Sequence, residues 1–290
     1  MDSLPPASVV VSMLLSVVLP GFAVGAGLLA GVCSATRSET GRMIGGAVAL
    51  AGGLAAGNFT RGLLPWWSFE PGWPSLFPGT LTAMAGGVIA SIASARRAPR
   101  WGLALRLITV AGCAWWLAPV SGPWSRLVGA VLILFGGALN WEKFCRDESR
   151  RFEPIVLLAL ILPWGLAAAV VLIHSHSARF CDMAVLLIST VAGVGFVARA
   201  LKLSIAMVLT GPAVFIPALM LGGAANTFSE VPLASFILIA LVPCALWCLR
   251  LPPLRRSSGR SFAIAAAIVV LLPCAAAVIL ALRAESLDFG

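Results

Sequence analysis

An all-helical integral membrane protein, a polytopic bundle of about ten transmembrane helices, is the fold class this sequence predicts. Three observations predict it. Of 290 residues, 60% are hydrophobic and 11% are charged, against about 25% charged in soluble domains. The mean hydropathy is +1.01. The apolar residues fall in runs of about twenty, the length that crosses a bilayer as a helix. No run alternates with a period of two, so a barrel is not expected. A disordered chain would lack this much apolar surface.

The runs are taken in order. They cover 8–32, 43–58, 79–95, 101–119, 124–141, 154–174, 180–199, 203–223, 232–249 and 261–283. The second and third are short and rich in Gly and Ala. The chain opens Met1-Asp2-Ser3-Leu4-Pro5-Pro6, with no cationic stretch ahead of its first apolar run. That run is expected to stay as a helix rather than leave as a signal peptide.

The loop charges test this count independently. With the N-terminus outside, the inward loops hold Arg37 and Arg42; Arg96, Arg97 and Arg100; Lys143, Arg146, Arg150 and Arg151; Arg199 and Lys202; and Arg250, Arg255, Arg256 and Arg260. Arg106, early in the fourth run, is expected to snorkel toward the same side. The outward side keeps Arg61, Arg126, Arg179 and Arg283. Cytoplasmic loops of membrane proteins carry this excess, so both termini are expected outside. The localisation that follows is a bacterial cytoplasmic (inner) membrane, which the dominance of Arg over Lys and the Ala/Gly bias also suggest. The expected partner of the cationic face is an anionic lipid headgroup layer. Nucleic acid, which a net charge of +9 would suggest in a soluble protein, is not expected. A protein partner would be another membrane protein or a second copy of the chain.

The charged stretch Glu142–Glu153 divides the single transmembrane domain into halves 1–141 and 154–290, five runs each. An odd number per half would invert one half against the other, as in many transporters. The sequence shows no repeat between the halves. Its one echo is Leu241-Val242-Pro243-Cys244-Ala245 against Leu271-Leu272-Pro273-Cys274-Ala275.

Several features bear on chemistry. Gly21/Gly25, Gly27/Gly31 and Gly53/Gly57 set glycines four apart, a spacing that lets helices approach closely. Pro20, Pro163, Pro212, Pro217, Pro243 and Pro273 interrupt spans, and each leaves a carbonyl without its amide donor. The eighth run, Thr210-Gly211-Pro212-Ala213-Val214-Phe215-Ile216-Pro217, is the most disturbed and reads as a broken or sharply kinked helix. Broken helices at mid-membrane mark transporter binding sites. The substrate-binding candidates are therefore Thr210, Gly211, Pro212 and Pro217, with Trp164 from the proline-interrupted sixth run.

The outer segment Leu64–Pro78, with Trp66, Trp67 and Trp73, reads as an interfacial aromatic belt or a lid. Trp115, Trp116 and Trp124 fall at the same level. His174, His176, Cys181 and Asp182 cluster at an outer turn, but two His on one turn make a poor metal site, and Asp182 can pair with Arg179. Asn58-Phe59-Thr60 matches a glycosylation sequon, without meaning in a bacterium. The seven cysteines include no CxxC pair and read as free thiols. Cys181 is expected to be reachable from outside, and Cys145 is not.

The absences matter as much. No Asp or Glu falls at mid-span, where ion-coupled transporters place one. There is no HExxH, GxSxG or Walker motif. Catalytic residues, a metal and a cofactor are accordingly not expected. The reading that remains is a transporter or permease-like protein for a neutral, amphipathic or lipid-like small molecule. Its alternative is a non-catalytic scaffold or subunit of an envelope complex.

Overall fold

A computed structural model describes residues 12, 14–60, 76–96, 99–117, 124–148, 154–204, 206–225, 230–251 and 259–287. Among these residues every regular element is helical. In chain order they are α1 (Leu19–Ala35, entered through a π turn at Leu14–Val18), α2 (Glu39–Thr60), α3 (Leu76–Arg96) and α4 (Pro99–Leu117). Next come α5 (Trp124–Glu148), α6 (Pro154–His174), α7 (Ala178–Ala200) and α8 (Thr210–Ala225). The chain ends in α9 (Leu233–Ala240), α10 (Val242–Ala245, continued by a 3₁₀ turn at Leu246–Arg250) and α11 (Gly259–Leu287).

Six helices are long and apolar enough to cross a membrane, and the α9–α10 pair, bent by 49°, makes a seventh if it is one span. The molecule is thus built as a helical membrane protein. Each of the ten apolar runs overlaps a helix or a bent pair among the described residues, yet the elements are not ten uniform spans. α3 and α8 are shorter apolar helices. α4 carries Arg100 and Arg106 within its length.

α11 shows how a lipid-facing rod is patterned. Phe262, Ala266, Val270, Cys274, Ala277 and Ala281 are buried, at helical spacing, while Ile264, Ile268, Leu271, Leu272, Ile279 and Leu282 are exposed. Both faces are apolar, and four of the six buried residues named are Ala or Cys while the exposed ones are Ile and Leu. Small residues predominate on the inward face, where backbones approach, with Phe262 and Val270 as the larger members, and long branched ones meet the acyl chains. Trp115 and Trp124 are exposed as well. Residues 61–75, with most of the aromatic outer segment, lie outside the described residues.

The tightest junction joins α1, α2 and α7. A Cβ on Gly21 would lie 2.7 Å from Leu186 Cδ1 and Ser189 Oγ, and one on Gly53 would lie 2.8 Å from the Gly21 carbonyl oxygen. Gly25 faces Thr190, Gly57 faces Leu186, and Gly193 abuts the Phe22 carbonyl. Ser189 and Thr190 both donate to the Leu186 carbonyl at 2.8 Å, so the polar groups at this seam are satisfied within α7. The third glycine pair behaves differently. Gly27 and Gly31 have open space around them and take no part in packing. Because α1 packs on both α2 and α7, the two halves of the sequence interleave.

α8 sits at the centre, against α3, α4, α5, α6, α7 and α9. Thirteen of its 16 residues are buried. A helix apolar all round belongs inside such a bundle. Among the described residues the eighth run is helical only from Thr210, so its interruption lies ahead of Pro212 and not between the two prolines. α8 runs continuously from Thr210, with Pro217 inside it. Pro212 falls in the first turn, where a missing amide costs little. The irregular stretch lies before it, in residues 201–204 and the turn of 206–209. The sharp bend belongs instead to the ninth span, at Leu241 just before Pro243. Pro163 and Pro273 are absorbed inside continuous helices.

α6 and α7 both end in the same hydrogen-bond pattern. Ser177 N–H reaches the Leu172 carbonyl and His176 N–H reaches Ile173; Leu203 N–H reaches Ala198 and Lys202 N–H reaches Arg199. This is the Schellman cap, whose penultimate residue is left-handed and usually Gly. Here those residues are His176, φ 56°, and Lys202, φ 54°.

Candidate functional site: a buried ion pair among orphan polar groups

Among the described residues, buried charge is confined to one contact. Arg106 Nε on α4 lies 2.5 Å from Glu142 Oε1 on α5, and the two residues are 8% and 2% exposed. Two expectations are corrected by it. Arg106 does not snorkel to the surface. Its guanidinium lies over Gly102, 3.3 Å from where a Cβ would stand, on the side where Ala93 of α3 packs. Glu142 is not a loop residue, because α5 continues to Glu148. An acid therefore does lie inside the helical bundle. Charge taken out of water is costly unless paired, and ionisable residues within membrane helices are a functional-site hypothesis by default.

Most hydroxyls and amides buried in the helices are spent on their own backbone. Asn58, Thr80 and Thr109 each donate to the carbonyl four residues back, at 2.7–2.8 Å. Asn58 is thereby buried and committed, which closes the glycosylation question. Thr210 Oγ1, Ser235 Oγ and Trp141 Nε1 have no such partner among the described residues. Buried polar groups normally find one, so these three stand out.

One of the three adjoins the ion pair in sequence, and a second lies on a helix packed against both of its helices. Trp141 precedes Glu142 on α5. Thr210 is placed by a chain of close contacts. Gly86 on α3 faces Thr109 of α4, and a Cβ on Gly87 next to it would lie 3.2 Å from the Gly211 amide nitrogen. Thr109 and Gly211 thus share a depth. Arg106, three residues before Thr109, lies about 4.5 Å further along α4. Because α8 packs against α3, α4 and α5, Thr210, Arg106, Glu142 and Trp141 lie on adjoining helices, and together they are called the polar seam below.

The five candidate residues divide accordingly. Thr210 is in the seam with a free hydroxyl. Gly211 supplies the close approach to Ala83 and Met84 of α3. Pro212 and Pro217 are buried in α8. Trp164 is 1% exposed, and its Nε1–H donates to the Ile239 carbonyl at 3.0 Å. That carbonyl is the one Pro243 cannot serve, four residues on. The Trp164 indole therefore does the work of the missing amide at the α9–α10 bend. Its ring packs on Trp141, centroids 6.4 Å apart. Pro243 itself sits over Gly137 of α5, and Cys244 donates to the Ile133 carbonyl at 3.8 Å. Trp164 is thus committed to holding the bend.

At the opposite turn Cys181 is buried, so it is not a reachable thiol. Among the described residues no three His, Cys, Asp or Glu side chains converge as metal ligands.

No family model, curated protein or solved structure matches this chain. The functional reading therefore rests on the seam.

Proposed function

We propose that this chain is a multi-pass protein of a bacterial cytoplasmic membrane, with ten crossings and both termini outside, that moves a net-neutral amphipathic or lipid-like small molecule. The single observation that carries the transport reading is the Arg106–Glu142 pair. An arginine beside a carboxylate offers complementary partners to a zwitterion, which is neutral overall yet carries both charges. Thr210 and Trp141, each with a donor to spare, would bind the same polar head. The placement of ten apolar runs on helices and the arginine asymmetry of the loops support the topology.

The test is flux in proteoliposomes. A fluorescent zwitterionic lysophospholipid should cross faster than in empty liposomes. The faster component should vanish in Glu142→Gln and Arg106→Gln, while Gly27→Ala, far from the seam, keeps it. Equal rates with and without the protein would defeat the reading.

A scaffold or envelope-complex subunit is the second reading. It is favoured by Trp164, whose one polar atom is spent on holding two helices together. It predicts a stable partner in gentle detergent, and no flux.

A further inference from the structure

We propose that the cleft between the α1–α2 turn and the α7–α8 turn binds a phosphate group, presented by the headgroup of an anionic phospholipid. This site rests on the membrane reading and is independent of transport. The cleft is lined by Arg37, Arg42 and Lys202, by Glu39 and Ser204, and by the apolar Leu29, Met43 and Leu203. The cations come from stretches about 160 residues apart in the chain, and the fold brings them to one rim.

Three features favour an anion there. The cations outnumber the acid three to one, and among the described residues Arg37, Glu39 and Lys202 make no ion pair. Arg42 uses only Nε, toward the Thr36 carbonyl at 3.4 Å, which leaves its terminal nitrogens for a ligand. Lys202 occupies the left-handed cap position at φ 54°, where glycine is the unstrained choice. A strained non-glycine residue is tolerated where its side chain is needed. A phosphate suits this set because guanidinium forks and an ammonium charge both recognise its oxygens.

The apolar half of the lining favours a lipid over a free anion. Leu29, Met43 and Leu203 would meet glycerol and the first methylenes, contacts that inorganic phosphate cannot make. Cations at helix C-termini also complement the helix dipole, so a purely structural role for Lys202 has to be separated from binding.

Native mass spectrometry of the detergent-purified full chain separates them. Phosphatidylglycerol, phosphatidylcholine and inorganic phosphate are offered one at a time. The wild type should retain phosphatidylglycerol. Arg37→Ala/Arg42→Ala should lower that retention by roughly tenfold. Lys202→Gly should lower it severalfold while leaving the melting temperature unchanged or higher, since glycine relieves the cap. Glu39→Gln should raise it. Phosphatidylcholine retention should be the same in all four proteins. Three results would overturn the proposal. One is phosphatidylglycerol retention unchanged by either cationic variant. The second is phosphatidylcholine falling in step with it. The third is saturable binding of inorganic phosphate with no retained phosphatidylglycerol, which would assign the cleft to a free anion.

Discussion

Pro243 has no amide hydrogen for the Ile239 carbonyl, and the Trp164 indole supplies one from the next helix. This gives a residue-scale prediction with a built-in control. Trp164→Phe keeps an aromatic ring but removes the donor and part of the buried indole volume, and should cost about 1–3 kcal/mol for the unpaired carbonyl on top of the cavity it leaves. Pro243→Ala restores the amide. In that background Trp164→Phe should cost much less, and a double-mutant cycle of unfolding in detergent reads the difference directly. The ion pair yields a second prediction. Glu142→Leu alone should destabilise by about 3–5 kcal/mol, because it strands the Arg106 charge. Arg106→Met/Glu142→Leu together should recover most of that loss and still abolish flux. A double variant as unstable as the single one would mean the pair is not the unit of stability. Neither partner was legible as such in the sequence. The polar run after Asn140 reads as a loop, and only packing reveals that α5 continues through it with Glu142 turned inward. A contact between residues 36 apart leaves no trace in local composition.

At the scale of elements, glycine spacing alone does not say which face is packed. Three pairs share one spacing; two serve the α1–α2–α7 junction and one opens to the outside. Alanine substitution should separate them. Gly53→Ala and Gly193→Ala push a methyl into backbone oxygen, which cannot move aside as a side chain can, and each should destabilise by about 1–3 kcal/mol or more. Gly27→Ala and Gly31→Ala should be neutral or slightly stabilising, since alanine favours helix more than glycine does. Thermal unfolding of the four variants checks this; equal losses would remove the junction from the account. Proline was informative for a similar reason and misleading for another. The ring always removes a donor, but the consequence depends on position. Pro212 falls in a first turn and costs α8 nothing visible, whereas Pro243 accompanies a 49° bend. The sequence reading placed the disturbance in the eighth span because two prolines are denser there.

For the whole molecule, hydropathy and loop arginines carry the proposed topology, and both are long-range averages that single residues do not spoil. A reporter active only outside the cytoplasm should be active when fused after Gly290, and inactive when inserted within the charged stretch 149–153. Thiol labelling should follow burial as well as side. Cys248 is the one exposed cysteine among the described residues, while Cys113, Cys145, Cys181 and Cys274 are buried. A bulky reagent should therefore modify Cys248 in detergent and leave Cys181 untouched until the protein unfolds. A reporter silent after Gly290, or active within 149–153, would defeat the topology.

α8 imposes an order on how this protein can be made. It is about 24 Å long, short of the ~30 Å hydrocarbon layer, and almost none of its surface is available to lipid. It cannot wait comfortably in the bilayer by itself. Most of the walls that enclose it precede it in synthesis, so the ribosome delivers the plug after most of its socket. A nascent chain stopped at Ala200 should hold that socket open, and should be cut by protease at sites the finished protein conceals.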